Sequence, residues 1–232
     1  MFKFFAYLAL ILSVAYGVVM AYPGVLFPAG RDYKNITVYS HEPLKEGADE
    51  LLGHVSEKIS TDAFFDAGQK FNVYLTSGYG EYAFFAPSCR KDYACLHPLT
   101  GKVFVASADF EKKRSYSSGD ESKGRPLDAV VTRALVKAQI KKKMGDLTYF
   151  SLGEWKTEGY AEHVAGETEG WDPVEICQEK AADDPVRRHL KYRLIVELVN
   201  SEDRLDYSVL MKENYSYEGV EKRVKKKYCA NN

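Results

Sequence analysis

The sequence predicts an α+β fold preceded by one apolar helix at its amino terminus, and three observations carry that reading. Segments of β type gather in the first half, at residues 35–40, 71–76 and 102–106. Helical patterns dominate from residue 127 onward. Strands followed by helices, rather than alternating with them, are the mark of α+β architecture. The third observation is the opening run FFAYLALILSVAYGVVMAYPGVLF at residues 4–27, nearly unbroken in its apolar character.

The chain has 232 residues and is 45% hydrophobic, enough for one sizeable core. It divides into residues 1–27 and a single domain over 28–232. The formal net charge of −1 supplies no overall field to attract nucleic acid, and no nucleic-acid partner is expected.

Taken in order, Lys3 is followed by an apolar stretch of the length that spans a bilayer. Val19 and Ala21 could mark a signal-peptide cleavage site. The length, the Tyr residues near its far end and the Pro23-Gly24 break suit an uncleaved anchor. Both readings stay open, and the anchor makes membrane lipid a partner. Residues 35–40, NITVYS, alternate polar and apolar and read as a strand; Asn35-Ile36-Thr37 is formally a glycosylation acceptor. His41-Glu42-Pro43 is a turn. Ala48, Leu51, Leu52, Val55 and Ile59 fall at helical spacing within residues 46–60. FNVYLT at 71–76 is a second strand, residues 78–87 a loop rich in Gly and aromatics, 99–101 a turn, and KVFVA at 102–106 a third strand. Residues 108–125 read as a polar loop.

Residues 126–167 are the centre of the sequence. A first helix spans 127–144, with Gly145 placed to end it in a left-handed conformation and Lys141, Lys142 and Lys143 in its last turn, where the helix dipole favours cations. A second spans 154–165 and carries W-K-T-E-G-Y-A-E-H. A GWDP turn follows, then a short helix at 174–181. The next helix, at 186–199, is opened by Asp184-Pro185 and carries Leu190, Tyr192, Leu194, Ile195 and Leu198. Two more helices are expected at 207–212 and 219–228. The closing run EKRVKKKY is a solvated helix face or a contact for anionic lipid head groups.

Four cysteines are present, and Cys89 and Cys95 bracket the short loop SCRKDYAC. With a secretory amino terminus, an even count implies disulfides, Cys89–Cys95 and Cys177–Cys229; free buried thiols are the alternative. Neither pair has the tight spacing of a zinc knuckle.

The helix pair resembles the active-site core of gluzincin-type zinc metallopeptidases, in particular the bacterial, membrane-anchored, peptidase-MA-like proteins. In that family the first helix carries H-E-x-x-H and ends in a basic run plus Gly. The second carries W-x-x-E-G-x-A-E/D-Y, whose first Glu is the third zinc ligand. Here Trp155, Glu158, Gly159, Ala161 and Glu162 match, with His163 in place of Tyr. Aligned on Gly145, the first helix places Arg133, Ala134 and Lys137 where His, Glu and His belong. The resemblance extends loosely over residues 28–232. It implies a zincin-like domain, a small mixed sheet packed on the helix pair, with the strand around Phe104 as the edge above the cleft that can pair with an extended peptide. It also implies a single-pass protein of the bacterial inner membrane whose domain lies in the periplasm or extracytoplasmic space.

A catalytic zinc needs three protein ligands and an open position for water. Two His at i and i+4 share a helix face and reach one metal, and the Glu between them takes the proton from the bound water. Arg133 and Lys137 keep that spacing but are donors only, and Ala134 cannot act as a base. The expectation is therefore a pseudo-metallopeptidase, without cofactor or metal, whose cleft is kept to bind a peptide or protein or for a structural role in the cell envelope. The competing reading is a working metallohydrolase whose site is rebuilt from Glu158, Glu162 or His163 with a distant His97 or His41. Cys177 has no nearby His in sequence, the Ser115–Gly119 stretch lacks the frame of a nucleophile elbow, and G-Y-G at 78–80 lacks the rest of a phosphate loop. Glu158 without a metal needs another partner, because an unpaired buried charge is costly. Arg133 or Lys137 is expected to supply it, unless the basic stripe is solvated and Glu158 points elsewhere.

Overall fold

A computed structural model describes residues 2–117, 124–167, 172–177 and 185–229. Five strands form one mixed sheet in the order β1-β2-β3-β5-β4: β1 is Ala29–Tyr33, β2 Ile36–Ser40, β3 Phe71–Leu75, β4 Ala94–Leu96 and β5 Val103–Val105. The three inner strands run parallel, and both edges, β1 and β4, are antiparallel to their neighbours.

Side chains alternate across a strand, so each strand serves two faces. Ile36, Val38, Val73, Val103 and Val105 enter the main core. Tyr74 and Phe104 turn to the other face, into a smaller cluster with Phe27, Tyr82, Phe85 and Met20. The main core is covered by α2 (Ala48–Ser60), α4 (Leu127–Met144) and α6 (Glu154–Ala165). The smaller cluster is covered by α3 (Tyr79–Phe85). A six-residue helix, α5 (Asp146–Ser151), joins α4 to α6. Behind α6 lie α7 (Pro185–Glu202), α8 (Tyr207–Leu210) and α9 (Tyr217–Cys229). The α6–α7 crossing is close enough to demand a glycine. A Cβ on Gly159 would meet the Tyr192 carbonyl oxygen at 2.4 Å, well inside contact distance.

The expected disulfides are both formed. Cys89–Cys95 closes the loop before β4, and Cys177–Cys229 ties a 3-10 turn at Pro173–Cys177 to the end of α9. The amino terminus is α1 (Phe2–Ala21), whose Lys3–Ala21 stretch is long and apolar enough to cross a membrane and is almost wholly unburied.

Several sequence expectations are corrected. Residues 78–87 are not a loop: Tyr82 and Phe85, three apart, turn a short helix onto the sheet. The polar segment 108–125 contributes a small second sheet, β6 (Ala108–Asp109), β7 (Arg114–Ser115) and β8 (Arg125–Pro126). Its two-residue strands are too short to show an alternating pattern, and they are tied down by polar contacts such as Ser115 Oγ donating to the Ala106 carbonyl at 2.6 Å. The strand around Phe104 is interior, and Phe104 itself faces α3, away from the helix pair. The edge on that side is β4. The helix expected at 174–181 is a 3-10 turn ending at Cys177, and residues 178–181 lie outside the described residues. So do Asp184, Gly170 and Trp171 of the GWDP turn, and residues 118–119 of the serine-rich stretch.

Candidate functional site

The facing sides of α4 and α6 carry charge where most facing helices carry hydrocarbon. Arg133 and Lys137 stand one turn apart on α4; Glu158 and Glu162 stand one turn apart on α6. Lys137 Nζ donates to Glu158 Oε1 at 2.8 Å, and Arg133 Nη2 donates to Glu158 Oε2 at 3.0 Å. The two α4 cations thus take both oxygens of one carboxylate, and the expected pairing of Glu158 is met by both candidates. Arg133 also reaches Glu162, with Nε 2.8 Å from Oε1.

Beneath this pair lies Arg125, at β8. It holds Glu162 in a two-pronged contact, Nη1 to Oε1 at 3.1 Å and Nη2 to Oε2 at 2.9 Å, and donates from Nε to Glu167 Oε2 at 2.9 Å. Such paired guanidinium–carboxylate contacts are among the stronger charge-assisted hydrogen bonds. The cluster therefore sets three cations, Arg125, Arg133 and Lys137, against three carboxylates, Glu158, Glu162 and Glu167. Glu162 is completely buried, and the Glu158 side chain keeps 13% exposure. His189, on α7, accepts at Nδ1 from Arg133 Nη2 at 2.8 Å, which puts the ring proton on Nε2, facing Glu154 at 3.7 Å.

Burial alone would drive the Glu158 and Glu162 carboxyls up. Lys137 and Arg133 reverse this for Glu158, and Arg125 with Arg133 for Glu162, so both are held below the usual carboxylate range. Burial likewise works to lower Lys137, and Glu158 overrides it, leaving the ammonium raised. Glu158, Glu162, Lys137 and Arg125 are thus each held in the charged form.

The remaining candidates lie elsewhere. Ala134 is buried in the main core. His163 turns away from Glu158, with Nδ1 2.9 Å from Glu197 and Nε2 3.1 Å from the Tyr207 hydroxyl. His97 accepts from Thr100 in the β4–β5 turn, and His41 stacks on Phe27 beside Glu81. Lys141 does not extend the stripe toward Glu158; it leans over the Phe150 ring and bonds the Pro98 carbonyl. The ligand set of the competing metallohydrolase reading is thus scattered. Among the described residues no group of three or more His, Cys, Asp or Glu side chains could hold a metal ion. None of the four described surface cavities is lined by Arg133, Lys137 or Glu158.

Sequence reasoning missed Arg125, Glu167 and His189. Arg125 and Glu162 are 37 positions apart, so no local spacing announces them. A buried Glu162 four residues after Glu158 was the available clue, since a second buried carboxylate needs its own cation.

The basic run on α9 is laced to acids: Arg223 pairs with Glu202 and Asp203, Lys227 with Glu202, and Lys225 with Glu221. Comparison of the chain with family models, curated proteins and solved structures gives no match. The geometry of the helix pair therefore carries the functional argument.

Proposed function

We propose that this is a membrane-anchored, extracytoplasmic protein with a zincin-like helix pair that does not perform metallopeptidase chemistry and serves the cell envelope by binding or by structure. One observation carries the reading. Both oxygens of Glu158, the residue at the zinc-ligand position of the resembling family, are engaged by cations from the two positions where that family has histidines. A divalent metal brought to Glu158 would have to displace an ammonium and a guanidinium, then sit beside them with their charges uncompensated. Neither Arg133 nor Lys137 offers a lone pair to it. The residues do not fit zinc. The apolar α1 and the two disulfides support an anchored domain in an oxidising compartment, the periplasm or its equivalent at the inner membrane. Peptide capture by strand addition would use β4, the antiparallel edge nearest α4, rather than the strand of Phe104.

The test is metal content of the purified full chain alongside casein hydrolysis, each with and without chelator. The expected outcome is sub-stoichiometric metal and no chelator-sensitive hydrolysis. Stoichiometric zinc that depends on Glu158, lost together with hydrolysis on chelation, would overturn the proposal.

A further inference from the structure

The end of α1 is built into the domain, and this fixes where the domain meets the bilayer. Lys102, in β5's approach, bonds the Ala21 carbonyl and reaches that of Met20 at 3.5 Å. These are carbonyls of the last turn, which have no partner within the helix. Met20 is buried in the cluster under α3. Farther back, the Tyr16 ring meets Phe84 of α3 edge-on at 5.2 Å, and the Tyr16 hydroxyl donates to the Phe84 carbonyl at 3.1 Å.

The span Lys3–Ala21 has 19 residues. At 1.5 Å per residue that is about 28 Å, close to the roughly 30 Å of a bilayer's hydrocarbon core. There is no slack to lift the last turns clear of lipid. Tyr16 lies about 7.5 Å back along the axis from Ala21, by the same rise per residue. A side chain packed on Tyr16 is thus carried below the level of the helix end, into the depth of roughly 5–10 Å that interfacial helices occupy.

Exposed apolar side chains lie on the segments that meet or follow α1. Phe84 remains 46% exposed although it sits beside α1. Tyr22 and Val25, just past the helix, are 70% and 81% exposed. Leu99, at the tip of the β4–β5 turn whose Lys102 grips α1, is 89% exposed. Lys102 sits at the helix end with its ammonium on the polar carbonyls, the arrangement of a lysine that marks a water boundary.

We propose that α3 through Phe84, and the β4–β5 turn through Leu99, form a membrane-docking surface that inserts into the interfacial layer of the bilayer that α1 spans. The domain then rests on the membrane in one orientation, with the helix pair held at a set height, instead of swinging on a tether. This rests on the reading of α1 as a membrane anchor.

The experiment uses the full chain in phosphatidylcholine vesicles with brominated acyl chains, which quench tryptophan at depth. Single reporters F84W and L99W are compared with K226W on α9 and with the unsubstituted protein, in brominated and plain lipid. Carbonate extraction of each vesicle sample is run in parallel. The expected result is a loss of fluorescence for F84W and L99W in brominated lipid, no added loss for K226W, and retention of all proteins in the pellet. Retention with F84W and L99W quenched no more than K226W would overturn the docking surface and leave the anchor standing. Quenching of K226W alone would place α9 at the membrane and overturn it too. Release by carbonate would remove the anchor and the docking surface together.

Discussion

At the scale of single residues, the ion cluster is defined by what each member would leave behind. Removing one partner of a buried pair strands the other's charge, typically at a cost of about 3–5 kcal/mol. Glu158→Gln should strand Lys137, and Lys137→Met should half-strand Glu158, which keeps Arg133. The expected outcome in thermal or denaturant melts is that each single change destabilises, Glu158→Gln the more, and that the double mutant loses less than the sum. Strictly additive losses would show that the two residues do not act as a pair. This contact was readable in the sequence because two cations stood at i, i+4 spacing on one helix opposite a helix that carries Glu158. The lower tier of the cluster was not, since Arg125 and Glu167 reach Glu162 only through the chain's tertiary path.

At the scale of elements, the bounds of α4 and α6 follow from Gly145, the lysine run and the W-K-T-E-G motif, and the structure places them where those signals do. The elements that sequence reading missed are those whose apolar pattern is too short to have a period: α3, α5, β1, β4 and the two-residue strands. β1 is held by a tight turn to β2, with Tyr33 opposite Ile36 and Lys34 at φ 52°, rather than by a hydrophobic run of its own. Gly159 shows the reverse case, where a motif residue is explained only by a neighbouring element. Its methyl-free face lets α7 close on α6, so Gly159→Ala should push the helices apart or force a shift at Tyr192. Overpacking of this kind costs about 1–3 kcal/mol or more, and a lowered melting temperature with intact disulfides is the expected measurement. An unchanged melt would mean that the crossing is looser than the geometry indicates.

At the scale of the whole molecule, the two disulfides secure regions of different kinds. Cys177–Cys229 joins positions 52 apart and pins the carboxy-terminal helix, whereas Cys89–Cys95 closes a loop only six positions across. In the chain-entropy view the longer closure constrains the unfolded chain more, and the short one contributes roughly 2–3 kcal/mol. Mass spectrometry of membrane-fraction protein without reductant should find both pairs linked, and selective loss of Cys177–Cys229 should destabilise more than loss of Cys89–Cys95. Free thiols in such protein would count against both the bridges and the proposed exported location.

The three-against-three arrangement under α4 and α6 has a consequence for how this protein can change. Substituting one member leaves an odd charge in the interior, so acceptable variants are reached by paired or triple replacements. Converting the site to one that holds a metal would require new histidines at 133 and 137, and Glu162 would lose Arg133 on the way. Each single-step intermediate would strand a buried charge, at a cost of about 3–5 kcal/mol. The cluster acts as a ratchet on the sequence: once it is in place, single-step mutation is biased to preserve it, whatever use the rest of the surface acquires.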